Sequence, residues 1–535
     1  MSLMSINFLI FVGVVFILYY LFPWKKYQWV ILLLASYFYY IFTCNQYVVY
    51  LLVTTLTTYG GALLIERIAD SCSSTLKSHK GDWEKPQRKA YKNRMNGYRR
   101  TILILVLVLN FGILSFLKYF DFLAGSIDSL LGQLGLAFPM PSLNLVLPLG
   151  ISFYTFQSMG YLIDVYRNKF PAEKNVAKFA LFVSFFPQIV QGPIAFYSDL
   201  AHQLYEKHSF RYESFKSGGL LILWGVLKKL VIADRAVQMI NLVTKQYQDF
   251  SGSFILRAAL MYALQLYADF SGGIDVCRGI GEILGITMAE NFRRPYFSKT
   301  LTEYWHRWHI TLGEWLRTYL FYPISISKSF LKMGKNLKKH GLRHLGRVLP
   351  TGIASLITFI IIGIWHGAAW KYVAFGVWNG GVILFSALMQ PISDNMLTRL
   401  HIRKESWPYM IFSMARTFLL VLIGYYFDIA VNFKAAMIML WRSVADFSLR
   451  DFSDFSCLMD SSLTGKDYLV IIFGCLVIFI ISLIQEKTGR SVREQLSEKS
   501  ILIQWPLYIL LILMIVILGV YGPGSNPAEF VYMQF

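Results

Sequence analysis

The chain has 535 residues, 56% of them hydrophobic and only 15% charged, against about 25% charged in an average soluble domain; it lacks the polar surface that would cover a water-soluble fold. Its 42 Phe, 33 Tyr and 13 Trp fit a polytopic membrane protein whose amphipathic rings sit at both headgroup levels, and this composition excludes disorder, collagen and small disulfide scaffolds. The 51 Lys and Arg against 31 Asp and Glu, a net of +20, then read as the positive-inside bias of cytoplasmic loops and not as nucleic-acid binding.

The first apolar run, residues 5–22, has no Lys or Arg before it and Lys25 and Lys26 after it, the reverse of a signal peptide. This predicts an uncleaved first helix with the N-terminus outside. The run 29–42 returns the chain outward, and a third span ends near Ile65. Residues 66–100 carry ten Lys or Arg against four acids and are expected to be a polar cytoplasmic loop. Residues 101–123 cross again, and no Lys or Arg follows up to Asp164, as an outer loop and the next span require. Arg167, Lys169, Lys174 and Lys178 bring the chain back to the basic side.

Residues 179–193 are apolar but contain Pro187, Gln188, Gln191, Gly192 and Pro193. Backbone so interrupted survives at membrane depth only where protein or a water-filled cavity covers it. Further spans are expected at about 217–232, 254–272, 351–365, 370–389, 410–430, 468–484 and 501–521, giving ten to twelve membrane segments, re-entrant helices included. Residues 328–347 hold seven Lys or Arg, two His and no acid. They read as a solvated cytoplasmic loop near anionic lipid, or as a surface that steers an anionic cytosolic substrate such as a nucleotide cofactor. With no repeat or long linker, the chain reads as one all-α integral membrane domain over 1–535: N-terminal helices to 123, a core over 147–390 and C-terminal helices over 410–535. Cys44, Cys72, Cys277, Cys457 and Cys475 are scattered, with no metal or disulfide spacing, and are read as packing residues.

No Walker loop, serine-hydrolase elbow, HExxH or dinucleotide fingerprint is present, which leaves the histidines. His79, His202, His208 and His401 lie in polar stretches, and His340 and His344 in the basic one. His366 instead ends the apolar run Thr358 to Trp365 and precedes Gly367-Ala368-Ala369. An ionisable group at membrane depth is costly and points to function. Burial there keeps the ring neutral and competent as a general base, while Gly363, Gly367, Ala368 and Ala369 leave room for a substrate. A histidine bonded to a neighbouring carbonyl is the plain alternative. In residues 303–317, His306 and His309, and Glu314 and Arg317, fall one turn apart if the segment is helical, a polar stripe on an aromatic-rich helix; an interfacial aromatic anchor fits equally, and a metal-ligand reading lacks a carboxylate pair. Asp269, beside Gly272 and Gly273, could line a polar cavity, orient a histidine or end a helix.

At these residues the chain resembles the membrane-bound O-acyltransferase family, in the bacterial branch that holds alginate O-acetylation and teichoic-acid D-alanyl transfer proteins. The matching stretches are 147–157, 185–194, 267–274, 290–296, 305–320, Trp365-His366-Gly367-Ala368 and the closing 530–535. By that resemblance His366 takes the place of the family's invariant membrane histidine and His309 its second position, Asn or His in different branches. The resemblance implies a helical bundle around a funnel, its catalytic core at 147–390, in a bacterial plasma membrane. It further implies acetyl-CoA as a cytosolic donor substrate with no bound cofactor, a polysaccharide acceptor outside, and an extracytoplasmic SGNH-type partner. Trp305, Trp308, Asp269, Tyr267, His306 and Trp365 are expected to wall the funnel. The chain departs from the alginate type at Tyr322 to Lys328, and at His306, where Arg is common. Its rivals are D-alanyl transfer from the phosphopantetheine thioester of a carrier protein, and a glycan or lipid transporter, against which stands the absence of an inverted half-repeat.

Overall fold

A computed structural model describes residues 1–136, 141–453 and 464–521. Among them the chain is helical throughout, and the one strand-like pairing is an isolated bridge between Phe292 and Trp308. Seven stretches are long and apolar enough to cross a membrane: Lys25–Ser78, Lys85–Gln133, Arg343–His366, Trp370–Arg399, Trp407–Ile429, Gly465–Thr488 and Ile501–Leu518. The first of these contains two helices. Cys457 and the closing 530–535 motif lie outside the described residues; the other four cysteines are free thiols.

The chain packs as two compact units, one formed by residues 1–218 with 280–289, the other by 219–279 with 290–535. The first contains α1 (Ile6–Leu21), α2 (Gln28–Cys44), α3 (Val48–Ser78), α4 (Lys85–Gln133), α5 (Ile151–Tyr166), α6 (Val176–Ser184), α7 (Phe186–Gln191) and α8 (Tyr197–Tyr205). The loop expected over 66–100 is mostly helix. No Pro or Gly interrupts 66–78, Lys, Arg and Glu are good helix formers, and a capping box between Glu84 and Gln87 restarts the chain with Pro86 in the first turn, where its missing N–H costs nothing. At 49 residues α4 is about 74 Å long, well beyond the ~30 Å hydrocarbon core.

The interrupted stretch 179–193 is broken as expected. Pro187 cannot continue a helix, and the chain turns at Phe185 between α6 and α7. The backbone groups released there are taken up by side chains: Phe186 N–H donates to Ser36 Oγ (3.1 Å), and Gln157 Nε2 donates to the Phe182 carbonyl (2.7 Å). Gln188 Nε2 in turn donates to Gln157 Oε1 (2.7 Å), so this buried polar backbone is satisfied within protein.

The second unit contains most of α9 (Tyr212–Leu227), a π-helical turn (Lys228–Ala233), α10 (Asp234–Lys245), most of α11 (Gly252–Ile283), the short α12 (Leu301–Arg307) and α13 (Ile310–Leu316), a second π-helical turn (Arg317–Phe321) and α14 (Tyr322–Ser325). It continues with α15 (Lys328–Lys339), α16 (Arg343–His366), α17 (Trp370–Arg399), α18 (Trp407–Ile429), α19 (Phe433–Ala445), α20 (Leu449–Ser453), α21 (Gly465–Thr488), α22 (Val492–Ser497) and α23 (Ile501–Leu518). The basic segment expected as a loop is therefore the amphipathic helix α15, which meets α16 where Gly334 and Gly346 face each other.

Helices α16 and α17 form a hairpin with three residues between them, and their contact is a seam of glycines. A Cβ on Gly363 would overlap the Tyr372 carbonyl, one on Gly376 the Phe359 carbonyl, and one on Gly380 would lie 2.8 Å from Leu356 Cα. Small residues let helix backbones approach where lipid offers no hydrophobic gain on association. Gly376→Val should therefore lower the thermal midpoint of purified protein in detergent sharply, by ~3 kcal/mol or more. Gly381→Ala, on the same helix with open space at its Cβ, should leave the midpoint unchanged or raised, since alanine favours helix by about 1 kcal/mol.

Candidate active site

Both candidate histidines lie in the second unit and both are buried, His309 at 3% and His366 at 6% exposure. His366 is the last residue of α16; the chain leaves the helix at the extended Gly367 and re-enters helix at Trp370. Its ring is boxed by Trp365 (centroids 5.2 Å apart), Phe375 (5.3 Å, edge-on) and Tyr372 (6.4 Å, nearly parallel). The room expected at Gly363 and Gly367 is already occupied. The α17 backbone fills the first and the Tyr372 ring lies against the second, so these glycines bring α17 onto the histidine.

His309 does not share a helix with His306. Helix α12 ends at Arg307, Trp308 is extended, and His309 adopts a left-handed conformation (φ 47°, ψ 54°) before α13 begins. Such backbone costs a non-glycine residue about 1 kcal/mol, and here a short ladder holds it. Trp308 pairs with Phe292, Arg293 N–H donates to the Arg307 carbonyl (2.9 Å) and Ile310 N–H to the Asn291 carbonyl (3.0 Å). The Asn291 side chain completes the grip. Its Oδ1 accepts from Thr311 N–H (3.0 Å) and Thr311 Oγ1 (2.9 Å), and lies 3.2 Å from His309 Nδ1.

That arrangement fixes a proton. A backbone N–H can only donate, so the Asn291 atom facing Thr311 is the carbonyl oxygen, and the same oxygen faces His309 Nδ1. Nδ1 must therefore carry the hydrogen, which leaves the lone pair on Nε2. Burial first, and then the nearby His366, push the His309 pKa well below the usual imidazole value, so the ring is neutral. Phe270 meets it edge-on at 4.9 Å, and Trp365 at 6.3 Å stands against both histidines.

The other expected site residues fall in different surroundings. Trp305 donates from Nε1 to Asn379 Oδ1 (3.2 Å) and packs on Phe359 and on Phe375, which touches His366. Trp308 is buried in an aromatic cluster with Phe292, Tyr296, Tyr304 and Tyr425. His306 is exposed, because the helix break turns it away from the register of His309. Glu314 and Arg317 approach to 3.7 Å at the surface. Asp269 does not end a helix: it sits inside α11, fully buried, 2.6 Å from Lys229, which also binds Asp234 at 2.8 Å. Tyr267, half-buried, lines a cavity with Lys228 and Asn291. Among the described residues no three His, Cys, Asp or Glu gather as metal ligands.

Sequence reasoning passed over four groups. Asn291 stood inside a matching stretch without a role; Lys228 and Lys229 were signalled by two adjacent charges within an expected span; Glu486, which binds both Arg294 (2.5 Å) and Arg307 (3.0 Å), carried no local signal. Replacing Asn291 by Ala removes three acceptor contacts at once. We expect kcat for the reaction at this site to fall ~10- to 100-fold, the equivalent of about 1–3 kcal/mol, with KM changed little. Thr311→Val, which loses only the hydroxyl contact, should retain most of kcat. Equal loss in both variants, or a loss carried by KM, would contradict this positioning role.

Residues 173–336 match the membrane-bound O-acyltransferase family model. The chain is 33% identical over 379 residues to a probable alginate O-acetylase of Pseudomonas syringae pv. tomato, covering 70% of this chain and 66% of that one. It is 32% identical over 383 residues to that of Pseudomonas aeruginosa (72% and 67%), and 31% over 318 residues to a peptidoglycan O-acetyltransferase of Helicobacter pylori (55% and 56%). The matched part thus spans about two thirds of the alginate-type relatives' length. On the all-helical fold and these matches, the chain is a multi-pass membrane protein that belongs to the membrane-bound O-acyltransferase family.

Proposed function

We propose that the chain transfers an acetyl group from cytosolic acetyl-CoA toward hydroxyls of a cell-surface or secreted polysaccharide, with His366 as general base. The observation that carries the reading is the pair of buried histidines set against one tryptophan, in a chain whose relatives at 31–33% identity are named probable alginate O-acetylase and peptidoglycan O-acetyltransferase. Those names favour acetyl over D-alanyl as the acyl group, and a glycan over a lipid as the acceptor. The positive-inside pattern supports a cytosolic entry for the donor and an outer N-terminus. The acceptor oxygen reached from outside is either that of the glycan itself or of an extracytoplasmic SGNH-type partner that passes the acetyl group on.

In this mechanism His366 takes the proton of the acceptor hydroxyl as its oxygen attacks the thioester carbonyl. The tetrahedral intermediate collapses, the C–S bond breaks, and the proton held by the imidazolium passes to the departing thiolate. The charge balance closes with an ester and a free thiol. His309, with its lone pair on Nε2, suits accepting a hydrogen bond from an acceptor hydroxyl or a pantetheine amide; that tautomer does not suit donating to an oxyanion. Ring packing by Phe375, Tyr372 and Trp365 on His366 keeps water away from the reacting groups.

The test is transfer of radiolabel from acetyl-CoA to envelope polymer in membranes carrying the native chain or His366→Ala at matched expression. Label on glycan should require the native chain and drop ~10²- to 10⁴-fold in the variant, the range for loss of a general base. Full transfer by His366→Ala would remove the assignment. Label appearing from a D-alanyl carrier protein and not from acetyl-CoA would move the reading to teichoic-acid D-alanylation.

A further inference from the structure

Within the second unit, α17 and α18 border a groove of about 1620 Å³ that neither histidine lines. Its α17 wall runs from Trp370 to Leu397, about 40 Å at 1.5 Å per residue, and so exceeds the ~30 Å hydrocarbon core. Val377, Val382, Phe385, Met389 and Leu420 make most of the surface apolar. Ser413 and Thr417, one turn apart on α18, also line it, and their buried hydroxyls have no hydrogen-bond partner among the described residues. At one end the groove meets a second hollow of about 840 Å³, which shares Ser393, Leu397, Tyr409 and Arg416 with it.

That end is cationic. Lys299, Arg403, Lys404 and Arg416 line the two hollows, against Asp394 and Glu405. Lys404 is held by Asp394 (2.6 Å), whereas Lys299, Arg403 and Arg416 are exposed and their side chains pair with no carboxylate among the described residues. Arg416 instead donates from Nη2 to the Lys299 carbonyl (3.0 Å) and lies over the Phe412 ring. The two helices run antiparallel, with Trp378 Nε1 donating to the Leu420 carbonyl (2.9 Å) at one level and Lys404 on Asp394 at another. The guanidinium over Phe412 therefore falls within a turn of the point where the apolar stretches 370–389 and 410–430 both end, the place at the hydrocarbon edge that long basic side chains favour. His344 Nε2 lies 3.2 Å from the Leu388 carbonyl, which sets the start of α16, and the basic α15 packed on it, at this same end. By the positive-inside rule it faces the cytosol.

Unpaired cations at the hydrocarbon edge, with an apolar groove running inward from them, match a molecule that is anionic at one end and carries long hydrocarbon chains. We propose that the groove is a site for an anionic phospholipid of the cytosolic leaflet. Arg416, Lys299 and Arg403 bind its phosphate and headgroup, Ser413 and Thr417 offer hydroxyls to its ester carbonyls, and its chains lie along Val377, Val382 and Leu420. A membrane helix from a partner or a second copy of this chain would cover the apolar wall but leave those cations unmatched at its end. The site reaches both histidines through protein. Helix α17 carries the Tyr372 and Phe375 that enclose His366, and Leu301 and Thr302 of α12, the helix that leads to His309, line the groove. A lipid bound here braces both elements from the bilayer side.

The test titrates the full chain, purified in neutral detergent, with phosphatidylglycerol or with phosphatidylcholine of the same acyl chains, and reads bound lipid by native mass spectrometry. Arg416→Gln and Arg403→Gln probe the headgroup end. Gly381→Leu probes the chains, because Gly381 lines the groove and a Cβ there meets nothing within 4 Å, so the larger side chain fills the groove and leaves every cation in place. The native chain should bind its first phosphatidylglycerol tenfold or more tightly than phosphatidylcholine. Each arginine variant should lower that preference several-fold, and Gly381→Leu should weaken both lipids. Thermal midpoints without lipid establish that each variant is folded, and Gly381→Leu still decides the matter if an arginine variant does not fold. Equal binding of the two lipids by the native chain overturns the proposal, since it describes ordinary annular lipid. So does an affinity for phosphatidylglycerol that survives all three substitutions, and so does a native dimer in lipid-free detergent that Gly381→Leu makes monomeric, which would give the groove to a second copy of the chain.

Discussion

One carbonyl oxygen, Asn291 Oδ1, organises the second unit around its histidine. It accepts two bonds from Thr311 and faces His309 Nδ1, and so does several things in one place. It caps the start of α13, it stabilises a left-handed residue that the chain would not otherwise keep, and it decides which ring nitrogen holds the proton. The neighbouring ladder of Phe292 with Trp308 and Arg293 with Arg307 provides stiffness, while Glu486 ties Arg294 and Arg307 to α21. Geometry at His309 is thus inherited from residues far apart in sequence.

His366 is positioned by a different device. It stands at the tip of the α16–α17 hairpin, where glycines at 363, 376 and 380 let two backbones approach so closely that no side chain fits between them. The ring is then enclosed by what the second helix brings, Tyr372 and Phe375. One histidine is held by hydrogen bonds to a kinked segment, the other by van der Waals packing at a rigid hairpin. Trp365 touches both rings and couples the two arrangements.

The sequence made legible what depends on local pattern. Apolar runs marked the long helices; Pro187 and its neighbours marked the break between α6 and α7; and a histidine closing an apolar run marked the end of α16. What depends on tertiary contact stayed hidden. Nothing within 303–317 signals that the helix breaks at Trp308, because the cause is the backbone pairing with residues 291–293 and a side chain that arrives from there. Gly363 and Gly367 looked like open space since a glycine shows only that a side chain is missing, not what fills the gap. The charged stretch 66–100 looked like a loop because polarity and helicity are independent, and residues that favour water also favour helix.

The π-helical turn at Lys228–Ala233 bears on how the protein reaches the bilayer. Its two consecutive lysines are buried and find their carboxylates on α11, at Asp275 and Asp269, some forty residues later in the chain. Without α11 the turn holds Lys228 with no carboxylate, and an unpaired cation costs about 3 kcal/mol near the centre of a membrane helix. Lys229 meets Asp234 within its own stretch of chain, whereas Lys228 meets its carboxylate, Asp275, only with α11, where Gly225 and Gly272 permit the backbones to meet. Burying Lys228 in the bilayer is therefore tied to the pairing of this turn with α11, and the two stretches are stable at membrane depth together more than either is alone.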